Sequence, residues 1–143
     1  MLVAEAMQKN VKTIRRDAAV QEAAMIMSEH RIGSLVVVSG AGEVEGIITE
    51  RDILDDIVVK NKNAADIKVE DIMTKDVKTI DPHNSLEDAA DVMVKYKIKK
   101  LPVVEKGVLL GIITASDLVK YEKNLIEKIG DLLAASPITG VAG

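Results

Sequence analysis

Val11-Lys12-Thr13-Ile14, rich in β-branched residues with polar positions between apolar ones, reads as a short strand. Val20, Ala23, Ala24 and Met27 then fall at i, i+3, i+4 and i+7, the stripe of an amphipathic helix with a small, alanine-rich face. Ser34-Leu35-Val36-Val37-Val38 follows as a continuous apolar run suited to a strand covered on both faces. A glycine-rich turn, Ser39-Gly40-Ala41-Gly42, leads into a further strand ending in Ile47-Ile48, and a second helix carries Ile53, Leu54, Ile57 and Val58. The order is strand, helix, strand, strand, helix.

The same order then returns. Val77-Lys78-Thr79-Ile80, the stripe Leu86, Ala89, Ala90, Met93, the strand Leu101-Pro102-Val103-Val104 and Gly111-Ile112-Ile113-Thr114 with Asp117 repeat the first set. Aligning Met7 with Met73 gives an offset of 66, which becomes 65 by Gly46 and Gly111, so the turn at Lys106-Gly107 is one residue shorter. Ser85-Leu86-Glu87-Asp88 supplies a capping box for the second copy's first helix, whereas the first copy has Ala19 and must borrow Asp17 or go uncapped. Pro102 lacks a backbone donor and predicts an edge position or strand start. A unit of this length is marginal alone, so the two copies are expected to share one core. The expected boundaries are residues 1–60, a linker at 61–66 including Lys62 and Asn63, a second domain at 67–121, and a tail at 122–143. In that tail Leu125, Ile129, Leu132 and Leu133 form one more stripe, interrupted by Gly130 and ended by Ser136-Pro137 before a flexible end.

Composition narrows the function classes. The 143 residues are 48% hydrophobic and 29% charged, as in an ordinary soluble domain. No apolar run approaches the roughly 18 residues of a membrane span, and no signal pattern opens the chain, so a cytoplasmic protein without membrane insertion is expected. The formal charge of −4 and the absence of Phe and Trp argue against nucleic-acid binding, which needs gathered cations and stacking platforms. Zero cysteines exclude disulfides and thiolate metal sites.

In these residues the chain resembles a pair of CBS domains, the nucleotide-sensing modules named after cystathionine beta-synthase. The resemblance rests on the turn ending in Met7 or Met73, the Val-Lys-Thr-Ile and Leu-Pro-Val-Val strands and the Gly-Ile-Ile-Thr-x-x-Asp tag, and it covers residues 1 to about 121. It implies a mixed α/β fold of two pseudo-twofold related repeats. It further implies clefts that bind AMP, ADP, ATP or S-adenosylmethionine as regulatory ligands, with no obligatory cofactor. A homodimer that regulates a separate effector enzyme or transporter is the associated expectation, since no effector is fused within this sequence.

The tags Thr49-Glu50-Arg51-Asp52 and Thr114-Ala115-Ser116-Asp117 sit where a strand hands over to a helix. An ionised Asp can receive both hydroxyls of a ribose, Thr can serve a ribose or phosphate oxygen, and a helix start favours phosphate. Thr-x-x-Asp is also an ordinary capping box, and capping and binding can coexist. The family resemblance implies crosswise sites: Ile47, Thr49, Arg51 and Asp52 with Val77, Ile98, Lys99 and Lys100, and Ile112, Thr114, Ser116 and Asp117 with Val11, Ile32, Gly33 and Ser34. Arg51, Lys99 and Lys100 would favour charged adenine nucleotides at the first, and the neutral second would be weaker or take a less anionic ligand. Equally, Lys95 to Lys100 reads as a solvated helix end, and Glu50 can neutralise Arg51.

No nucleophile with its base, metal cluster or phosphate loop is present in the sequence, and His30 and His83 stand apart, so catalysis and metal binding are not expected. The competing reading is a ligand-independent scaffold that binds a partner protein.

Overall fold

The computed structural model describes residues 1–121 and 126–135; Leu125 and Ser136-Pro137, which the sequence reading placed in a last helix and its end, lie outside these. In chain order the helices and strands are α1 (Val3–Ala6), β1 (Thr13–Ile14), α2 (Val20–His30), β2 (Ser34–Val38), β3 (Val44–Thr49), α3 (Glu50–Ile53), α4 (Leu86–Tyr96), β4 (Lys100–Glu105), β5 (Val108–Thr114), α5 (Ala115–Tyr121) and α6 (Ile126–Ala134). A π-helical turn, Leu54–Val58, continues α3, and short 3-10 turns occupy Ala64–Asp66 and Val69–Asp71.

These elements form two compact units, neither of them one contiguous stretch of chain. The first comprises Asn10–Val77 with the hairpin tip Lys106–Leu109; the second comprises Met1–Lys9, Lys78–Glu105 and the described residues from Leu110 on. Each unit therefore takes its opening turn from chain that precedes the other repeat. In the second unit Val3 N–H donates to the Asn84 carbonyl at 2.8 Å, and in the first Val69 N–H donates to the Ala18 carbonyl at 2.9 Å.

In the first unit the sheet order is β1-β2-β3, with β1 parallel and β3 antiparallel to β2. Val36 N–H donates to the Lys12 carbonyl at 3.4 Å, which ties β1 to the sheet. Pro102 stands at the matching position of the second repeat and has no N–H to give. The expected strand Val77–Ile80 is accordingly reduced to a parallel bridge between Ile80 and Val103, beside the two-stranded sheet β4-β5.

Both long helices lie where the stripes place them. Val20, Ala23 and Met27 are buried on α2, and Leu86, Ala89, Ala90 and Met93 on α4. Ser85 caps α4, accepting from Asp88 N–H at 3.0 Å while the Asp88 carboxylate accepts from Ser85 N–H at 3.0 Å. Ala19 offers no side-chain cap to α2, and the Ile67 carbonyl takes the Val20 N–H at 2.8 Å instead. Both helices end on a left-handed residue, Arg31 (φ 53°) and Lys97 (φ 56°). Leu54 and Val58, which the stripe of the second helix includes, are exposed, while Ile57 is buried. The π turn has more residues per turn than an α-helix and rotates those two away from the core.

The buried apolar residues other than Val36 gather into two clusters, one within each unit. One gathers Ile14, Val20, Leu35, Val37, Ile48 and Val69 among others, and the second gathers Val3, Leu86, Met93, Leu101, Ile113 and Leu118 among others. The borrowed opening turn contributes to each: Val3 and Ala6, or Val69, enlarge the buried centre of the repeat they pack on. Among the described residues no helix is long and apolar enough to cross a membrane.

Gly46 and Gly111 hold the opening turns in place. A Cβ on Gly111 would sit 2.6 Å from the Gln8 carbonyl oxygen and 2.7 Å from Met7 Sδ. On Gly46 it would sit 2.8 Å from the Thr74 carbonyl oxygen and 2.7 Å from Met73 Sδ. Backbone cannot yield as a side chain tip can, so Gly46→Ala and Gly111→Ala are each expected to destabilise by about 1–3 kcal/mol in urea unfolding. Gly130→Ala in α6, where a Cβ meets nothing within 4 Å, is expected to be neutral or to gain up to about 1 kcal/mol. Equal effects at the three glycines would contradict this account.

Candidate functional site

The Gly-Ile-Ile-Thr segments end β3 and β5, and strand alternation divides their two isoleucines. Ile48 and Ile113 are fully buried and anchor each strand end in its core. Ile47 and Ile112 instead pair through their backbones with the opening segments. Ile47 N–H donates to the Thr74 carbonyl at 3.0 Å and receives from Thr74 N–H at 2.8 Å; Ile112 and Gln8 exchange the same two bonds at 2.9 and 2.8 Å. Thr74 and Gln8 are thus structurally equivalent, one in each unit.

At the strand ends both tags form the capping box. Asp52 N–H donates to Thr49 Oγ1 at 3.2 Å, and Thr49 N–H donates to Asp52 Oδ2 at 2.9 Å. In the second tag the distances are 3.1 Å for Asp117 N–H to Thr114 Oγ1 and 3.0 Å for Thr114 N–H to Asp117 Oδ2. The first-turn donors are further drawn down, because Glu50 N–H goes to the Gly33 carbonyl at 3.0 Å and Ala115 N–H to the Lys99 carbonyl at 2.8 Å. The helix start that the sequence reading offered to a phosphate therefore has its N1 and N3 amides already bonded.

The carboxylates themselves are not equivalent. Asp52 is half-buried, and loss of water around it raises its pKa above the ordinary 3.8 despite the two bonds with Thr49, with Asp56 and Asp55 adding repulsion. Its Oδ2 is held by Thr49, and among the described residues its Oδ1 receives no hydrogen bond. Asp117 carries an additional partner: Gln8 Nε2 lies 3.2 Å from Oδ1 and 3.1 Å from Oδ2.

The remaining residues singled out in the sequence fall as follows. Arg51 is exposed and its Nε pairs with Asp55 Oδ2 at 3.0 Å, so Asp55 rather than Glu50 balances its charge. Ser34 lies opposite Thr49 across β2 and β3, and Glu50 Oε1 closes over Gly33, where a Cβ would approach it to 2.6 Å. Within the first unit Gly33 and Ser34 thus lie beside the Asp52 tag. Ile32 packs on the first core and Ile98 on the second. Val11 and Val77 are partly exposed in the first unit, and Lys99 and Lys100 lead into β4 in the second. Ser116 is exposed on the first turn of α5. Lys97, as the left-handed cap of α4, fits the helix-end reading of the lysine run, and Lys95 and Lys78 lie 5.3 and 4.7 Å from the centre of the Tyr96 ring.

Sequence reasoning passed over Gln8 and Thr74. The available signal was a difference at an aligned position immediately after the matching Met7 and Met73, one copy carrying a long amide and the other a short hydroxyl.

Comparison with known proteins fits this geometry. The family model for the CBS domain matches residues 3–59 and 69–124. An uncharacterized protein of Methanopyrus kandleri, MK0525, is 36% identical over 128 residues, covering 89% of this chain and 65% of that protein. An inosine-5'-monophosphate dehydrogenase of Korarchaeum cryptofilum is 38% identical over 117 residues, covering 81% of this chain but 23% of the enzyme. The chain thus spans just under two thirds of the first relative and less than a quarter of the second. Among solved structures, the CBS domain pair of protein MJ0100, in complex with 5-methylthioadenosine and S-adenosylmethionine, superposes with a TM-score of 0.74 at 32% identity. That likeness covers 84% of this chain and 98% of the other.

The raised pKa of Asp52 gives a signed prediction. Its ionised form is penalised in the folded state, so the penalty is fully present above the folded pKa and disappears as pH falls through that value toward 3.8. Asp52→Asn removes the charge and keeps an oxygen for Thr49 N–H. Its melting temperature relative to the unsubstituted protein is expected to be highest near neutral pH and to decline on acidification through that window. A difference independent of pH would contradict the burial argument.

Proposed function

This chain belongs to the CBS domain family, and from that premise we propose that it is a regulatory module whose Thr-x-x-Asp tags hold an adenosine-containing ligand. AMP, ADP, ATP and S-adenosylmethionine are the candidate ligands, and a ribose hydroxyl donating to the open Oδ1 of Asp52 is the central contact. The observation that carries this reading is a half-buried carboxylate held in place by its own capping box with one oxygen left to accept. The box costs the ligand one oxygen and gives it a fixed target, since Asp52 needs no reorganisation to receive a donor. The adenosine ligands in the MJ0100 pair support the choice of ligand class.

Occupancy becomes a signal only when the ligand prefers one arrangement of the protein over another. The tag strand is bonded to the opening segment at Ile47 and Thr74, so a ligand on Thr49 and Asp52 acts next to chain that continues into a different part of the sequence. A partner protein, either an effector enzyme or a transporter, reads the change. A homodimer is the proposed working form. It is supported by exposed Met25 on α2 and by exposed Leu54, Val58 and Val59 on and just after the π turn, together with a hollow of about 440 Å³ lined by Met27, Arg31, Ile32 and Ile53 among others. The same exposed apolar side chains favour the second reading, a protein-interaction scaffold.

Titration of the protein with each of the four ligands in a thermal-shift assay separates the two. A ligand at 100 times its dissociation constant adds about 2.7 kcal/mol of stability, and Asp52→Ala is expected to weaken the tightest ligand at least about tenfold. No shift with any of the four would leave the scaffold reading standing and this one refuted.

A further inference from the structure

The equivalence of Gln8 and Thr74 carries a consequence for ligand selection that the tags alone do not. Each follows the methionine that packs against the tag glycine, and each exchanges two backbone hydrogen bonds with the isoleucine two residues before the tag threonine. Their side chains therefore start from the same place relative to the tag. From that place the Gln8 carboxamide reaches Asp117 and bridges both of its oxygens, at 3.2 and 3.1 Å. Thr74 is shorter by two heavy atoms and ends in a hydroxyl, and Asp52 Oδ1 receives no bond from it.

A donor shared between two carboxylate oxygens sits on the bisector of the carboxylate. That is where a ribose cis-diol must approach to give one hydroxyl to each oxygen. Asp117 Oδ2 also accepts from Thr114 N–H, so with Gln8 in place both of its oxygens are engaged. Asp52 has Oδ2 engaged and Oδ1 open.

We propose that Gln8 is a specificity-determining residue that occupies Asp117 in the free protein, so that a hydroxyl ligand at the second tag must first displace the amide, whereas Thr74 leaves Asp52 open. The inference rests on the adenosine-ligand reading of the tags. It places the asymmetry between the tags in one intrachain contact rather than in net charge, since Arg51 is already paired with Asp55. Gln8 is exposed, so the amide can leave into water at the cost of about one exchanged hydrogen bond.

The test uses isothermal titration of S-adenosylmethionine and of AMP into the full chain. With the first tag silenced by Asp52→Ala, adding Gln8→Ala is expected to tighten the remaining site about fivefold, the factor for one net hydrogen bond. With the second tag silenced by Asp117→Ala, Thr74→Gln is expected to weaken the first site by a similar factor, because the new amide can reach Asp52. Unchanged or weaker binding on Gln8→Ala, in a protein whose unsubstituted form binds either probe, overturns the role given to Gln8 and leaves the adenosine-ligand reading intact. No binding of either probe by the unsubstituted protein or by Gln8→Ala overturns both. Gln8 side-chain amide resonances provide an independent readout: they are expected to shift when Asp117 is replaced by Ala, and unmoved resonances would show that the contact is not made in solution.

Discussion

The structure depends on a pair of backbone hydrogen bonds made across a glycine. In each unit the strand that carries the tag is joined to an opening segment through Ile47 and Thr74, or Ile112 and Gln8, and the two chains come so close that only glycine fits beneath them. The bonds satisfy amides that would otherwise end a strand unpaired, and the closeness seats Met7 or Met73 over the glycine. Through this contact a repeat too small to bury much by itself acquires the additional apolar side chains that complete its core.

The same contact sets the surroundings of the tag. Thr49 and Thr114 begin one residue beyond the buried isoleucine of each strand, so their position is fixed by the core on one side and by the opening segment near them on the other. Capping and ligand binding are then compatible uses of one motif. The Oδ2 of each Asp serves its own helix, and Gln8 brings to both oxygens of Asp117 a donor that Asp52 does not receive among the described residues. Duplication supplied two similar strand-to-helix turns, and one long side chain is enough to make them chemically different.

Much of this was legible in the sequence. The stripes on α2 and α4, the two apolar strands and the capping box at Ser85 depend on local periodicity and local hydrogen bonding, which a sequence displays directly. Pro102 announced its missing donor, though only the structure shows that the bond lost is the counterpart of Val36 to Lys12. The exposure of Leu54 and Val58 was not legible, because a π turn breaks the 3.6-residue period on which the stripe is counted. The exchange of opening turns was not legible either. It pairs Gln8 with Ile112, residues far apart in the chain and joined by backbone groups that leave no trace in side-chain pattern. Within the tags, residue types alone could not decide between capping and binding, since both uses require the same threonine and aspartate at the same spacing.

Amide hydrogen exchange of the folded protein tests the bridging contact most directly, because it reads the four backbone donors one by one. The account predicts that the Gln8, Ile112, Ile47 and Thr74 amides exchange as slowly as core-strand amides such as that of Val37. It also predicts that saturating S-adenosylmethionine slows Ile47 and Thr74 more than Ile112 and Gln8. Exchange of the Gln8 and Thr74 amides at the rate of exposed loop amides would contradict it.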